Sequence, residues 1–81
     1  MRKIFKSEYN GWYESATRMH VYAFDNDEEY FMFAEMNGKE LCDHFGVSND
    51  YWVAPGAIYY EYDFHIQGNH IIMYETKALN I

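Results

Sequence analysis

The segment IYYEYDFHIQGNHIIMYE, residues 58–75, alternates between two chemically different sets of side chains, and this pattern constrains the fold more than any other feature. One set is apolar or aromatic and comprises Ile58, Tyr60, Tyr62, Phe64 and Ile66. The other set comprises Tyr59, Glu61, Asp63 and His65. Because successive side chains of a strand point to opposite faces of a sheet, a period of two predicts a half-buried β-strand.

A two-residue turn at Gly68-Asn69 divides this segment and predicts a β-hairpin. With that loop length, Ile66 lies opposite Ile71, Phe64 lies opposite Met73, and Asp63 lies opposite Tyr74. The apolar side chains then share one face of the hairpin. The other face carries Tyr59, Glu61, Asp63, His65, Ile72 and Tyr74.

The first third of the chain predicts a second hairpin. Asn10-Gly11 is the dipeptide that most readily takes the positive φ angles of a type I′ turn, so we expect a hairpin from about Lys3 to Phe24. In its second arm, residues 19–24, bulky side chains occupy both alternating sets. This pattern favours a central strand that is covered on at least one face.

The segment DNDEEYFMFAEMNG, residues 25–38, allows two interpretations. Its early Asp and Asn residues are good helix caps, Glu28 and Glu29 suit the positive end of a helix dipole, and Asn37-Gly38 would end the helix. The aromatic run YFMF would also suit a strand, with DNDEE as a hairpin loop. We favour the helix, with a buried stripe of Tyr30, Phe33, Ala34 and Leu41.

A short second helix, or a continuation of the first, is predicted for residues 39–46, because Asn37 precedes Glu40 by three residues and Gly46 follows Phe45. Residues 48–57 predict a loop closed by a Pro55-Gly56 turn. We therefore expect residues 1–81 to form a single compact domain of the α+β class. It would contain a small antiparallel β-sheet of about four strands, in the order β-β-α-β-β, with one or two short helices packed on one face.

The charges are distributed unevenly along the chain, whose net charge is −7. Four of the six basic residues lie within the first eighteen positions, whereas residues 19–76 contain eleven acids and one base, Lys39. Because binding to a phosphate backbone requires Lys and Arg, we expect no direct binding of nucleic acid. A basic protein would instead be attracted to this chain.

The sequence contains no signature of catalysis, of a cofactor or of a metal site. The common nucleophile, phosphate-binding and metalloprotease motifs are absent. Asp25 and Asp27 begin like a calcium loop, but Met36 stands where the loop requires a glutamate. The four histidines have no ligand spacing, and a single cysteine, Cys42, cannot complete a zinc-finger arrangement. We expect a protein that is not an enzyme and that needs no cofactor or metal.

The same single cysteine bears on the location of the protein. It cannot form an internal disulfide, which favours the cytoplasm, and the host cytoplasm if a phage encodes the protein. The N-terminus has no apolar run of signal-peptide length, and no segment approaches the ~20 apolar residues of a membrane span. We therefore expect a soluble, unprocessed protein that makes no contact with a membrane.

The tyrosines and acids predict an interaction surface. Tyrosine offers a large contact area with little side-chain entropy to lose, and acids orient a protein toward a basic partner. Tyrosine is also a common sheet former, so one such ring does not by itself indicate binding. We expect the partner to contact the acids at the helix start and the last hairpin, through Asp25, Asp27, Glu28, Glu29, Tyr59, Glu61, Asp63 and Tyr74.

In size and charge the chain is similar to the small acidic inhibitors that phages encode against host defence, a class that includes anti-CRISPR proteins and DNA mimics. The resemblance implies an inhibitor that occupies a basic, nucleic-acid-binding surface of a partner such as a defence protein. The alternative is a self-associating structural module, in which the aromatic sheet face is buried in a homodimer.

Overall fold

The computed structural model describes residues 1–49 and 52–81. Asp50 and Tyr51, which belong to the predicted loop, lie outside the described residues. The described chain forms a five-stranded antiparallel sheet and two helices, which confirms the α+β prediction. The elements are β1 (Arg2–Lys6), β2 (Asn10–Trp12), β3 (Ser15–Ala23), α1 (Asp27–Ala34), α2 (Gly38–Phe45), β4 (Ile58–Gln67) and β5 (His70–Leu79).

The sheet has the strand order β1-β3-β5-β4, and β2 also pairs with β3. β4 and β5 form the hairpin that the alternating segment predicts, with Ile66 opposite Ile71, Phe64 opposite Met73 and Asp63 opposite Tyr74. β3 is a central strand, because β5 pairs with it along its whole length and β1 and β2 occupy its other edge. The predicted register of the last hairpin and the predicted central strand are both confirmed.

The predicted turn at Asn10-Gly11 is wrong. Both residues belong to β2 and pair with Thr17 and Ala16, so the chain reverses three residues later, at Tyr13 and Glu14. Gly11 has a φ of +137°, and a Cβ there would lie 2.5 Å from the Ser15 carbonyl oxygen. The glycine is needed for this close backbone approach inside the hairpin and not for a type I′ turn.

The first helix is confirmed at residues 27–34, but the prediction that Asn37-Gly38 ends it is wrong, because it ends at Ala34 and these two residues begin α2. The Asn26 side chain accepts a hydrogen bond from the Glu29 amide at 2.9 Å, which satisfies one of the free N–H groups of the first turn. Phe33 is 1% exposed, but Ala34 is exposed, so its place in the predicted buried stripe is wrong. A helix of eight residues presents only a narrow stripe to the sheet, and Ala34 lies beyond it.

The second helix is separate from the first and begins with a capping box. The Asn37 side chain accepts from the Glu40 amide at 2.8 Å, and the Glu40 side chain accepts from the Asn37 amide at 3.2 Å. Gly46 ends the helix in the left-handed conformation, with a φ of +71°. The buried residues of α2 are Leu41 and Cys42. Leu41 therefore belongs to α2, although it faces the core as predicted.

The helices pack on one face of the sheet, here called the helix-side face. Phe24, Phe33, Leu41 and Ile71 form the core, and Tyr22, Phe64 and Ile66 pack against it. Phe45 of α2 contacts the rings of Tyr22 and Phe64, with centroid distances of 5.0 and 5.4 Å. None of the helices formed by the described residues is long and apolar enough to cross a membrane.

Candidate functional site

The opposite face of the sheet, here called the open face, carries the predicted tyrosine and acid side chains. Residues paired across antiparallel strands share a face, so the register assigns odd-numbered residues of β3 and β4 and even-numbered residues of β5 to it. The rings that join the described helices to the sheet all belong to the helix-side face. The members of the open face include Met19, Val21, Tyr59, Glu61, Asp63, His65, Ile72 and Tyr74.

Two carboxylates lie side by side at the β4 edge of the open face. Glu61 and Asp63 are both exposed, and their positions two residues apart on a strand separate them by roughly 7 Å. Asp63 Oδ1 accepts a hydrogen bond from the Phe64 amide at 3.0 Å. Within the described part of the chain, no salt bridge involves either carboxylate. Their negative charge therefore faces solvent without a compensating base.

An open groove of about 280 Å³ lies beside Tyr74. It forms where residues 7–9 connect β1 to β2 along the edge of β3. Ser7 holds this connection, since its amide donates to the Met19 carbonyl at 2.9 Å and its hydroxyl accepts from the Met19 amide at 2.8 Å. The groove is lined by Ser7, Glu8, Asn10, Thr17, Arg18, Met19 and Tyr74. It gives the open face a concave region next to a half-buried aromatic ring.

The acids at the start of α1 lie apart from Glu61 and Asp63. Asp25, which lies just before α1, and Asp27, Glu28 and Glu29 of its first turn are here called the α1 acids. α1 packs on the helix-side face, and the Met1 ammonium contacts Asp25 and lies 2.7 Å from Glu29 Oε1. The hydrogen bond from that ammonium lowers the pKa of Glu29. Asp27 and Glu28 are exposed in the first turn.

The eight predicted partner-binding residues therefore fall into two groups. The structure brings together Tyr59, Glu61, Asp63 and Tyr74 on the open face. It places the α1 acids Asp25, Asp27, Glu28 and Glu29 on the other side of the sheet.

A polar network on the helix-side face, beyond the helices, was missed by the sequence-based predictions. The His20 ring bridges two partners: Nε2 lies 2.8 Å from Glu75 Oε1, and Nδ1 lies 3.0 Å from Lys3 Nζ. The Tyr9 hydroxyl donates to the other oxygen of Glu75, and the Arg18 guanidinium stacks on the Tyr9 ring, with Cζ 3.7 Å from its centroid. These five residues are here called the His20–Glu75 network.

The surroundings shift the pKa of two groups in this network. Burial, followed by the hydrogen bond to Glu75, raises the pKa of Tyr9 to about 12. Burial also opposes the charged form of Glu75, but the hydrogen bonds from Tyr9 and His20 and the charges of His20 and Arg18 outweigh it and lower the pKa of Glu75. The phenol thus stays protonated and the carboxylate stays charged, which suits a network that fixes β3 to β5 and to the connection between β1 and β2.

The sequence gives little indication of this network, because Tyr9, His20 and Glu75 are far apart along the chain and share no motif. The one available signal was that His20 and Glu75 occupy positions on the face that the helices otherwise cover with apolar groups.

Cys42 and His44 are not joined with other reactive side chains of the described residues in a metal site. Cys42 is buried in α2, and burial, together with the charge of Asp43, raises the pKa of its thiol. His44 is exposed and packs edge-on against Phe33, with the ring centroids 4.7 Å apart, so it does not pair with Cys42. Among residues 1–49 and 52–81, no group of three or more His, Cys, Asp or Glu is arranged to hold a metal ion.

Comparisons of the chain with protein-family models, with curated proteins and with solved structures gave no match.

Proposed function

We propose that this protein is a small binding protein that docks through its open face onto a basic surface of a partner protein. The observation that carries the proposal is the pair of exposed carboxylates, Glu61 and Asp63, which have no salt-bridge partner among the described residues. On the same face, Tyr59 precedes Glu61 by two residues on β4, and Tyr74 of β5 is paired directly with Asp63. Carboxylates next to tyrosines combine electrostatic attraction with a contact surface that loses little entropy on binding.

Charge complementarity favours a basic partner over a second copy of the chain. A two-fold homodimer brings the same patch of both copies together. If it were centred on Glu61 and Asp63, it would place four carboxylates in one interface, and like charges close together weaken association. Lys or Arg side chains of another protein would relieve the repulsion that the two carboxylates exert on each other.

The expected consequence of docking is inhibition. Basic protein surfaces commonly bind the phosphates of nucleic acids, so an acidic protein that covers such a surface competes with nucleic acid for it. We propose that the partner is a nucleic-acid-binding protein, and that the chain acts as the inhibitors of the phage anti-defence class do. The proposal rests on the open face alone, so it requires local blocking of a few basic side chains and no extended imitation of a DNA backbone.

The decisive experiment is a competition measurement with a charge-reversed variant. The protein is used to capture partners from host lysate, and each captured basic protein is purified and tested for loss of binding to a duplex nucleic acid when the chain is added. The double variant Glu61→Lys and Asp63→Lys should lose both capture and competition. A matched double variant, Glu14→Lys and Glu35→Lys, changes two exposed acids elsewhere by the same charge and should retain both.

Three outcomes would contradict the proposal. The first is full capture and competition by the Glu61→Lys and Asp63→Lys variant. The second is binding that does not weaken as salt rises, because steering by exposed charges is screened over about 10 Å at 0.1 M salt. The third is a dimer in sedimentation analysis that the same variant dissociates, which would assign the open face to self-association. A further variant, Asp27→Asn with Glu28→Gln, tests whether the α1 acids contribute.

A further inference from the structure

Strand pairing gathers four of the six basic side chains onto the helix-side face. In the register of the sheet, Lys3 is opposite Tyr22, Lys6 is opposite His20, Arg18 is opposite Glu75, and Lys77 is opposite Ala16. The positions of Tyr22 and Ala16 are six residues apart on β3, so these four basic residues are spread over roughly 20 Å along the strand. Lys3, Lys6, Arg18 and Lys77 are here called the cationic strip.

The positive charges of the cationic strip are only partly compensated. Its register positions include one carboxylate, Glu75, which already bonds Tyr9 and His20. Arg18 Nε is buried and has no hydrogen-bond partner among the described residues. Burial and the charges of Lys6 and Arg18 lower the pKa of Lys3, so these cations lie close enough to repel one another. A bound anion would reduce the repulsion among these cations and so stabilise the arrangement.

Tyrosine rings accompany the cations along the strip. Lys3 Nζ lies 5.6 Å from the centroid of the Tyr22 ring, and the Tyr9 ring has Arg18 Cζ at 3.7 Å and Lys77 Nζ at 6.0 Å. Tyr60 and Tyr62 belong to the same face, opposite Lys77 and Glu75. A basic track with aromatic rings beside it is the arrangement with which proteins bind single-stranded nucleic acid without sequence preference.

We propose that the cationic strip binds the phosphate backbone of a single-stranded nucleic acid. The length of the strip distinguishes this ligand from a single phosphate ion, because one ion needs donors that converge on one point, whereas these cations are spread over several rows of the sheet. Duplex binding is not favoured, since the only Lys or Arg in the described helices, Lys39, is paired with Asp43 at 3.2 Å and neither of these helices is basic enough for a groove.

The proposal goes beyond docking by the open face, because it uses the opposite side of the sheet. The net charge of −7 does not prevent it, since salt screens distant acids more strongly than adjacent phosphates. It also revises the sequence-based expectation that nucleic acid is not bound directly. That expectation considered the long acidic span by itself, whereas the strip combines residues from the N-terminal strand, β3 and β5.

The test is a titration of a fluorescein-labelled oligothymidylate of about a dozen nucleotides, followed by anisotropy over a series of salt concentrations. The double variant Lys6→Gln and Lys77→Gln should bind several-fold more weakly. The slope of log affinity against log salt should become shallower by about 1.4, because each phosphate that a cation neutralises on a single strand adds about 0.7 to the slope. The matched variant Arg2→Gln and Lys39→Gln removes the same charge off the strip and should match the wild-type protein.

Each of three results would overturn the proposal. The wild-type protein could fail to bind the oligonucleotide at low salt. The two double variants could weaken binding equally, which would attribute it to overall charge. Inorganic phosphate could displace the oligonucleotide at an equal concentration of phosphate groups, which would indicate a small-anion site. The Glu61→Lys and Asp63→Lys variant should still bind the oligonucleotide, so this proposal and the proposed docking function can fail independently.

Discussion

Glu75 on β5 lies next to His20 on β3, with 2.8 Å between Glu75 Oε1 and His20 Nε2, and the two side chains are only 13% and 8% exposed. They are diagonal neighbours in the sheet, since Glu75 is paired with Arg18 and His20 with Met73. The carboxylate also accepts from the Tyr9 hydroxyl, so one acid holds together side chains from three segments of the chain. The half of the sheet that the helices do not cover is thus stabilised by polar contacts.

The substitution Glu75→Gln should lower the free energy of unfolding by about 2 kcal/mol, because it removes or weakens hydrogen bonds to a charged, partly buried group. Urea denaturation followed by circular dichroism measures this decrease. Glu61→Gln is the matched control, since Glu61 is exposed and should change stability by less than ~0.5 kcal/mol. Equal effects of the two substitutions would show that the network adds no stability.

The Glu75 carboxylate should make the free energy of unfolding depend on pH in the acidic range. Because the folded protein lowers the pKa of Glu75, its contribution is present above the ordinary value of 4.5 and is lost as pH falls through the lower folded value. The difference in unfolding free energy between the wild-type protein and Glu75→Gln should therefore narrow as pH falls below 4.5. Denaturation at a series of pH values checks this, and a difference that stays constant down to strong acid would contradict it.

Tyr9 should be recognisable by its alkaline titration. Its pKa of about 12 in the folded protein lies above the ordinary value of 10.0, so its contribution to stability is present below 10.0 and is lost as pH rises through about 12. NMR of ring-labelled tyrosine should show Tyr9 titrating near 12, with the signal assigned by its absence from Tyr9→Phe. In Glu75→Gln the pKa should fall but stay above 10.0, because burial is the larger cause.

The end of α2 depends on the left-handed conformation of Gly46, whose φ is +71°. Gly46→Ala should destabilise the protein by about 1 kcal/mol, because a Cβ strains this conformation. Gly38→Ala is the matched control, since Gly38 has no positive φ and open space around its Cβ position. There alanine should be neutral or stabilising by about 0.5 kcal/mol, since it loses less backbone entropy on folding. Thermal denaturation of both variants compares them, and equal shifts would argue against strain at Gly46.

Local patterns in the sequence determined several parts of this fold correctly. The alternation of residues 58–75 and the Gly68-Asn69 turn predict the β4–β5 hairpin in its observed register. Asn26 and the acids around it predict the start of α1, and the Asn37 and Glu40 pair predicts the start of α2. These features were predictable because each depends on residues at most four positions apart, or on one tight turn, and so the sequence alone specifies the local contacts.

Only the tertiary structure decided which distant segments meet. The Asn10-Gly11 turn gives way to one at Tyr13 and Glu14, because the pairing of β3 with β1, β2 and β5 stabilises the chain more than one favourable turn can. The same pairing gathers Lys3, Lys6, Arg18 and Lys77 on one face, joins His20 to Glu75, and separates the α1 acids from Glu61 and Asp63. Long-range strand pairing is a sum of weak interactions over the whole sheet, so no short stretch of sequence reveals it.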